Sequence, residues 1–77
     1  MELPKVKYDE VADAVNIYLK YPLKRGEVAR GGGSSDVPQM TSVILSFDKK
    51  DKLLCIEILG AKRLLPRELL KAARSLR

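Results

Sequence analysis

The sequence predicts an α+β fold, a small antiparallel sheet of about four strands with a C-terminal amphipathic helix packed on one face. Between residues 5 and 59, several short segments alternate apolar with polar residues, which is the pattern of half-buried strands. After Gly60 the apolar spacing becomes helical, and Pro66 suits a first helical turn. With 77 residues, 45% hydrophobic and 32% charged, the chain is expected to form one globular domain over residues 1–77.

The first two predicted strands, Lys5–Tyr8 and Asn16–Tyr21, each alternate between apolar and polar side chains. Aspartates between them favour a turn around residues 9–13, because Asp side chains readily bond nearby backbone amides. These strands are therefore predicted to form a hairpin. A short helix over Glu10–Val15 is the alternative, since two alanines in this segment favour helix.

Residues 23–40 are predicted to be a flexible, glycine-rich surface loop. The segment Gly31–Ser35 has the composition of a flexible linker. A brief strand at Glu27–Arg30 is an alternative for part of the loop. A phosphate-binding loop is not indicated, because the glycines are not followed by Lys-Ser/Thr and a helix, as a P-loop requires.

Two stronger strands are predicted at Thr41–Asp48 and Leu53–Leu59, joined by a charged turn at residues 48–52. Both are apolar on both faces, which indicates that both faces are covered. One face, including Ile56 and Ile58, is expected to pack against the helix. The second face is predicted to be the contact of a homodimer, formed by Ile44, Leu53, Cys55 and Leu59.

The C-terminal helix is predicted over about residues 65–76. Its apolar stripe consists of Leu65, Leu69, Ala72, Ala73 and Leu76. Residues 1–59 contain nine basic and nine acidic residues, whereas residues 60–77 contain six basic and one acidic, so the net charge of +5 lies entirely in the last segment. The candidate binding residues are Lys62, Arg63, Arg67, Lys71 and Arg74.

The residue types present exclude several classes of chemistry. Histidine and tryptophan are absent and there is one cysteine. Ser–His and Cys–His catalytic pairs are therefore excluded, as is a metal site of His and Cys ligands. We predict no enzymatic activity, no catalytic residue, no metal and no cofactor. Cys55 lies within an apolar strand and is expected to pack as a small hydrophobic side chain.

We expect a cytoplasmic location without membrane contact. A membrane span requires about 20 apolar residues, whereas the longest uncharged run, Val37–Phe47, has eleven. The first ten residues contain no apolar signal-peptide core. One Asn, one Gln and one Cys beside 25 charged residues are typical of thermophilic proteins. We therefore expect a melting temperature above ~60 °C.

Three motifs carry a resemblance to known proteins. They are Y-D-x-x-A-D-A-x-x-I-x-L at residues 8–19, V-I-L-x-x-D at residues 43–48 and I-E-I-L at residues 56–59. Together they resemble a widespread family of short prokaryotic proteins catalogued as a domain of unknown function. The resemblance covers residues 5–20 and 41–62. It implies a small α+β domain with an antiparallel sheet, and it brings no activity, cofactor or catalytic residue.

The sequence departs from that family in four places. The loop over residues 20–40 is long and glycine-rich, and the final helix is long. The turn contains Lys49–Lys52 where relatives often have Asp-Gly, and Cys55 replaces a usual glycine. A function of the loop or the helix would therefore belong to this chain rather than to the family.

These observations predict a small non-enzymatic protein-interaction module. Members of the resembled family are sometimes suspected of lying beside toxin-like genes, which implies an antitoxin-like accessory role. A basic helix face is either simply solvated, or binds an acidic protein partner or nucleic acid. The alternative function is thus nucleic-acid binding through the C-terminal helix, although no aromatic residue is interleaved with its basic residues to stack on bases.

Overall fold

The chain forms a five-stranded sheet followed by two short helices. The computed structural model describes residues 3–33 and 36–75, with side chains up to Ala73. The sheet order is β1-β2-β5-β4-β3, and every neighbouring pair is antiparallel. The predicted antiparallel sheet is therefore confirmed, with β5 at its centre. The elements are β1 (Lys5–Asp9), β2 (Ala14–Tyr18), β3 (Arg30–Gly33), β4 (Ser42–Phe47), β5 (Leu53–Leu59), α1 (Ala61–Leu64) and α2 (Arg67–Ser75).

The first hairpin turns on an aspartate. The Asp9 carboxylate accepts the backbone N–H of Val11 at 3.0 Å and of Ala12 at 3.2 Å. These bonds satisfy the turn amides locally, so the chain reverses instead of continuing as a helix. The hairpin prediction is confirmed and the helical alternative is wrong. However, β2 begins and ends earlier than the predicted Asn16–Tyr21.

The second hairpin, formed by β4 and β5, closes through Asp48 in a similar way. Its carboxylate accepts the backbone N–H of Lys50 at 2.8 Å and of Lys52 at 3.0 Å. Next to this turn the pairing register shifts, so that Ser46 lies opposite Cys55 while Phe47 lies opposite Leu53. This β-bulge decides which face of the sheet receives Leu53, as described below.

The prediction of about four strands is wrong, because part of the glycine-rich segment forms the edge strand β3. The backbone N–H of Ala29 donates to the carbonyl of Phe47 at 2.8 Å, and Arg30–Gly33 continue along β4. Glycine has no side chain to show strand periodicity, but its backbone pairs like any other. The open edge of β4 supplies the unpaired backbone groups that recruit it. Ser34 and Ser35, the end of the predicted loop Gly31–Ser35, lie outside the described residues.

The single helix predicted at about residues 65–76 corresponds to α2, and a second short helix that was not predicted, α1, precedes it. Leu65 between them is extended, at φ −106° and ψ 146°, because a residue that precedes proline is displaced from the helical region. The predicted apolar stripe is correct at Leu65 and Ala73, which pack against or in the core, and wrong at Leu69 and Ala72. Leu70 and Ala73 are buried, whereas Leu69 is 40% exposed and Ala72 is exposed. Leu76 lies outside the described residues.

The core lies between α2 and one face of the sheet. Buried residues of the sheet and the helices form one cluster, and α2 packs mainly on β1. This confirms that helix packs on a single face of the sheet. Among residues 3–33 and 36–75, no helix has the length and apolar character needed to span a membrane. The cluster consists of Tyr8, Val15, Ile58, Ala61, Leu70 and Ala73.

Candidate functional site

Asp13 fixes the start of α1 against the first hairpin. Its backbone carbonyl accepts the N–H groups of Gly60 and Ala61, each at 3.0 Å. Its carboxylate accepts the N–H of Lys62, also at 3.0 Å. One residue thus binds three consecutive amides at the end of β5, where a helix would otherwise leave them unpaired. The position of Lys62 is set by these bonds.

Gly60 forms the corner between β5 and α1. Its φ is 76°, in the left-handed region that favours glycine. A Cβ atom at this position would lie 2.9 Å from the carbonyl oxygen of Met40 and 2.9 Å from Cγ2 of Thr41. Glycine is therefore required by both backbone conformation and space, and the corner directs the chain into the two helices.

The two helices and the extended residue between them enclose a surface groove of about 380 Å³. We call it the basic groove, and its lining residues are Lys62, Leu65, Arg67, Leu70 and Lys71. The three cationic residues are exposed, whereas Leu70 is buried in the core and Leu65 is half-buried. No carboxylate is among these lining residues. The arrangement offers cations around an apolar floor, which suits a ligand that is both acidic and apolar.

The structure thus brings together three of the five predicted basic residues. Arg63 faces elsewhere, because its guanidinium donates to the backbone carbonyl of Gln39 at 3.1 Å. It lines a neighbouring depression that it shares with Lys62 and the 89% exposed Met40. The side chain of Arg74 lies outside the described residues.

The predicted dimer face is only partly assembled. Ile58 of β5 pairs with Val15 and points into the core. Side chains alternate between the two faces along a strand, so Cys55 and Leu59 of β5 lie on the opposite face. Ile44 shares that face, because it is paired with Glu57 between them. Leu53 does not, because the bulge pairs it with Phe47. Phe47 lies four residues after Val43 on β4 and therefore on the same face, and Val43 packs against the core. Leu53 consequently lies on the core face with Phe47.

Cys55 is already protected without a second subunit. It is 7% exposed, and burial, followed by the nearby carboxylate of Glu57, raises the pKa of its thiol. The thiol is thus kept protonated and poorly nucleophilic at neutral pH. Glu57 lies between Ile44 and Asn16 on the open sheet face, which places a carboxylate at the centre of the predicted dimer contact.

A cluster that the sequence pattern did not indicate lies at the β1 side of the same open face. We call it the tyrosine–lysine cluster, and it consists of Lys5, Lys7, Tyr18 and Tyr21. The ammonium of Lys7 donates to the hydroxyl of Tyr21 at 2.9 Å. This bond raises the pKa of Lys7 and lowers the pKa of Tyr21. Only strand pairing brings these residues together, although the alternation of lysines with apolar residues in β1 was a partial signal.

The described residues contain no group of three or more His, Cys, Asp or Glu side chains placed to hold a metal ion. These residues form three candidate surfaces: the basic groove, the open sheet face and the tyrosine–lysine cluster on its β1 side.

Comparison with known proteins identifies a family but no activity. Residues 5–62, which are 58 of the 77 residues, match the family described as Protein of unknown function (DUF2283). No curated protein and no solved structure matches the chain. The matched segment contains all five strands and ends at Lys62, inside α1. The rest of the basic groove, including all of α2, lies beyond it.

Proposed function

The chain belongs to the DUF2283 family, and we propose that it is a small non-enzymatic interaction module that binds an acidic segment of a partner protein. The basic groove is the observation that carries this proposal. Three cations, Lys62, Arg67 and Lys71, surround an apolar floor, and none of the described residues that line the groove carries a carboxylate. A ligand that offers acidic and apolar side chains together would bring carboxylates to these cations and would cover the apolar floor.

The apolar floor favours a protein segment over nucleic acid. Phosphates gain from lysine and arginine alone, whereas Leu65 and Leu70 gain only from a ligand with apolar side chains. Binding of single strands also depends on aromatic side chains that stack on bases, and none is among the described residues that line this groove. An amphipathic helix or strand with acidic residues beside its apolar face matches the groove better.

More specifically, we propose an antitoxin-like accessory role. In that role the partner is a toxin-like protein whose acidic segment occupies the basic groove. Such a module would act in the cytoplasm, and the open sheet face would provide for a homodimer. The groove lies mostly outside the segment that matches the family, so the partner of this chain need not be shared by other members.

The proposal is tested with two charge-reversal variants of equal net charge. Arg67→Glu with Lys71→Glu alters the basic groove, and Lys49→Glu with Lys50→Glu alters the exposed turn at the other end of β5. Each pair lowers the formal net charge from +5 to +1. Tagged proteins are used to capture partners from the native lysate, with and without nuclease. Mass spectrometry identifies the captured protein, and its acidic segment is then titrated as a peptide.

We expect the wild type and the turn variant to bind the peptide, and the groove variant to lose at least tenfold in affinity. Equal binding by all three proteins contradicts the proposal, because the cations of the basic groove would then not contribute. Equal losses in the two variants also contradict it, because net charge alone would then explain the association. Recovery of only nuclease-sensitive material also contradicts it, and would favour the alternative of nucleic-acid binding through the basic helices.

A further inference from the structure

We propose that the tyrosine–lysine cluster binds single-stranded nucleic acid on the open face of the sheet. This site is independent of the basic groove, because it lies on the other side of the sheet. Tyr8 of β1 and Val15 of β2 are buried beneath the helices in the core. Side chains alternate along a strand, so Lys5 and Lys7 lie on the face that no helix covers.

The cluster combines two aromatic rings with two cations. Lys5 lies directly opposite Tyr18 in the register of β1 and β2. The rings of Tyr18 and Tyr21 meet edge to face, with centroids 5.1 Å apart and planes inclined by 66°. The ammonium nitrogens of Lys5 and Lys7 lie 4.5 Å and 4.9 Å from the centroid of the Tyr21 ring.

Within residues 3–33 and 36–75, no carboxylate forms an ion pair with Lys5 or Lys7. Across the sheet, Lys7 of β1 lies opposite Asn16 of β2, and Asn16 lies opposite Glu57 of β5. Two strand spacings, roughly 10 Å, separate Lys7 from this carboxylate. Asp9 lies nearer, two residues along β1 on the same face and roughly 7 Å away, and its carboxylate accepts the turn amides of Val11 and Ala12. This face of β1 thus carries two cations and one carboxylate. The cluster is therefore a locally positive, aromatic surface at the β1 edge of the sheet.

Single-stranded nucleic acid is the ligand that uses both properties. Its phosphates gain from the lysine ammonium groups, and its unpaired bases gain from stacking on tyrosine rings. An exposed sheet face with aromatic and basic residues is a general platform for such strands. A duplex keeps its bases stacked inside and would use only the lysines, as would inorganic phosphate. The ammonium groups that now contact the Tyr21 ring would pair with phosphates and free that ring for a base.

The test measures binding of labelled single strands of about ten nucleotides, a length within the range of known single-strand sites. Oligo(U) and oligo(dT) are titrated by fluorescence anisotropy at low salt, beside a duplex of the same length and with inorganic phosphate as competitor. We expect either single strand, or both, to bind more tightly than the duplex, with an affinity that falls steeply as salt rises.

The variants separate stacking from charge and from folding. We expect Tyr21→Ala to weaken binding by roughly 5- to 100-fold, and Tyr21→Phe, which keeps the ring, to remain within about threefold of wild type. Lys5→Glu with Lys7→Glu should abolish binding. Lys49→Glu with Lys50→Glu, which has the same net charge, should bind almost as well as wild type. Thermal unfolding of each variant checks that the sheet is intact.

Four outcomes would overturn the proposal. The first is no binding by the wild type at low salt, and the second is equal affinity for duplex and single strand. The third is a stronger loss in Arg67→Glu with Lys71→Glu than in Lys5→Glu with Lys7→Glu, which would place nucleic acid on the helices. The fourth is Tyr21→Phe binding as poorly as Tyr21→Ala, because loss of the ring would then not be the cause. If Tyr21→Ala does not fold, the two lysine variants and the duplex comparison still decide.

Discussion

Gly60 lies at the corner between β5 and α1 with a φ of 76°, and a Cβ there would lie 2.9 Å from the Met40 carbonyl oxygen. A residue other than glycine in the left-handed region costs about 1–2 kcal/mol, and overpacking adds about 1–3 kcal/mol. We therefore expect Gly60→Ala to lower the free energy of unfolding by roughly 2–5 kcal/mol, as measured by urea denaturation.

Gly26 provides the matched control for this substitution. Its φ is 86°, and a Cβ there would have no atom within 4 Å. Gly26→Ala should therefore cost only the backbone part, about 1–2 kcal/mol. If the two variants lose the same stability, the close approach of Gly60 to Met40 and Thr41 does not restrict the position.

Asp13 joins the first hairpin to α1, because it binds the amides of Gly60, Ala61 and Lys62. Asp13→Ala removes the acceptor of the Lys62 amide and places alanine at a φ of 53°. We expect a loss of about 1–2 kcal/mol in the free energy of unfolding. Asp13→Asn keeps an oxygen acceptor and tolerates the left-handed conformation, so it should lose clearly less. Equal losses in the two variants would mean that the hydrogen bond does not hold α1.

At the scale of elements, the turn of the second hairpin has a predictable pH dependence. The backbone N–H groups of Lys52 and Lys50 hold the pKa of Asp48 below its ordinary value. A lowered pKa in the folded state contributes stability that is complete above the unfolded pKa, about 4. This contribution is lost as the pH falls through the lowered folded value. We thus expect the urea midpoint of the wild type to fall below about pH 4.

Asp48→Asn isolates this effect, because the amide keeps an oxygen acceptor but carries no charge. At neutral pH the variant should unfold at a lower urea concentration than the wild type. The difference should shrink as the pH falls below about 4. A difference that stays constant between neutral and acidic pH would show that the charge of Asp48 does not stabilise the turn.

The elements that the sequence predicted correctly are those whose side chains carry a local pattern. The largely apolar segment Leu53–Leu59 defined β5 to the residue, and the aspartates indicated both hairpin turns. The strand β3 was not predictable from a pattern of side chains, because Gly31–Gly33 have none and are ordered by the edge of β4. The buried face of α2 was predicted only in part, because the predicted stripe counted Leu65 as helical. Leu65 is extended and precedes α2, so it does not determine which side of that helix is buried.

The candidate sites were predictable to a smaller extent. Charge counting identified Lys62, Arg67 and Lys71, but the groove between them depends on the break at residue 65 and on two leucines that meet there. Apart from the alternating lysines of β1, nothing in the sequence predicted the tyrosine–lysine cluster, because its lysines and tyrosines become neighbours only through the pairing of β1 with β2. Residue types are local information, whereas a site depends on contacts distant in sequence.

At the scale of the whole molecule, the homodimer stays a prediction, now with a more specific contact. A domain of about this size buries only roughly 60% of the surface of its unfolded chain, so a second subunit adds useful burial. The contact residues that share the open face are Ile44, Cys55 and Leu59, and Glu57 lies among them. A two-fold contact uses the same patch on both copies, so it must keep the two Glu57 carboxylates apart or pair them with cations.

We expect light scattering at high micromolar concentration to give the mass of two chains, and Ile44→Glu to give the mass of one. Val11→Glu is the matched control, because Val11 is 99% exposed on the first hairpin turn and should leave the mass unchanged. A monomeric wild type, or an Ile44→Glu variant that stays dimeric, would contradict this contact.

Salt separates this association from binding in the basic groove. Each copy carries a net charge of +5, so repulsion between copies opposes the dimer, and added salt should strengthen it by screening. An acidic partner is instead attracted to the basic groove, so added salt should weaken that complex. Measuring both equilibria across one salt series therefore assigns each to its surface, because only an association through the apolar sheet face is expected to strengthen as salt rises.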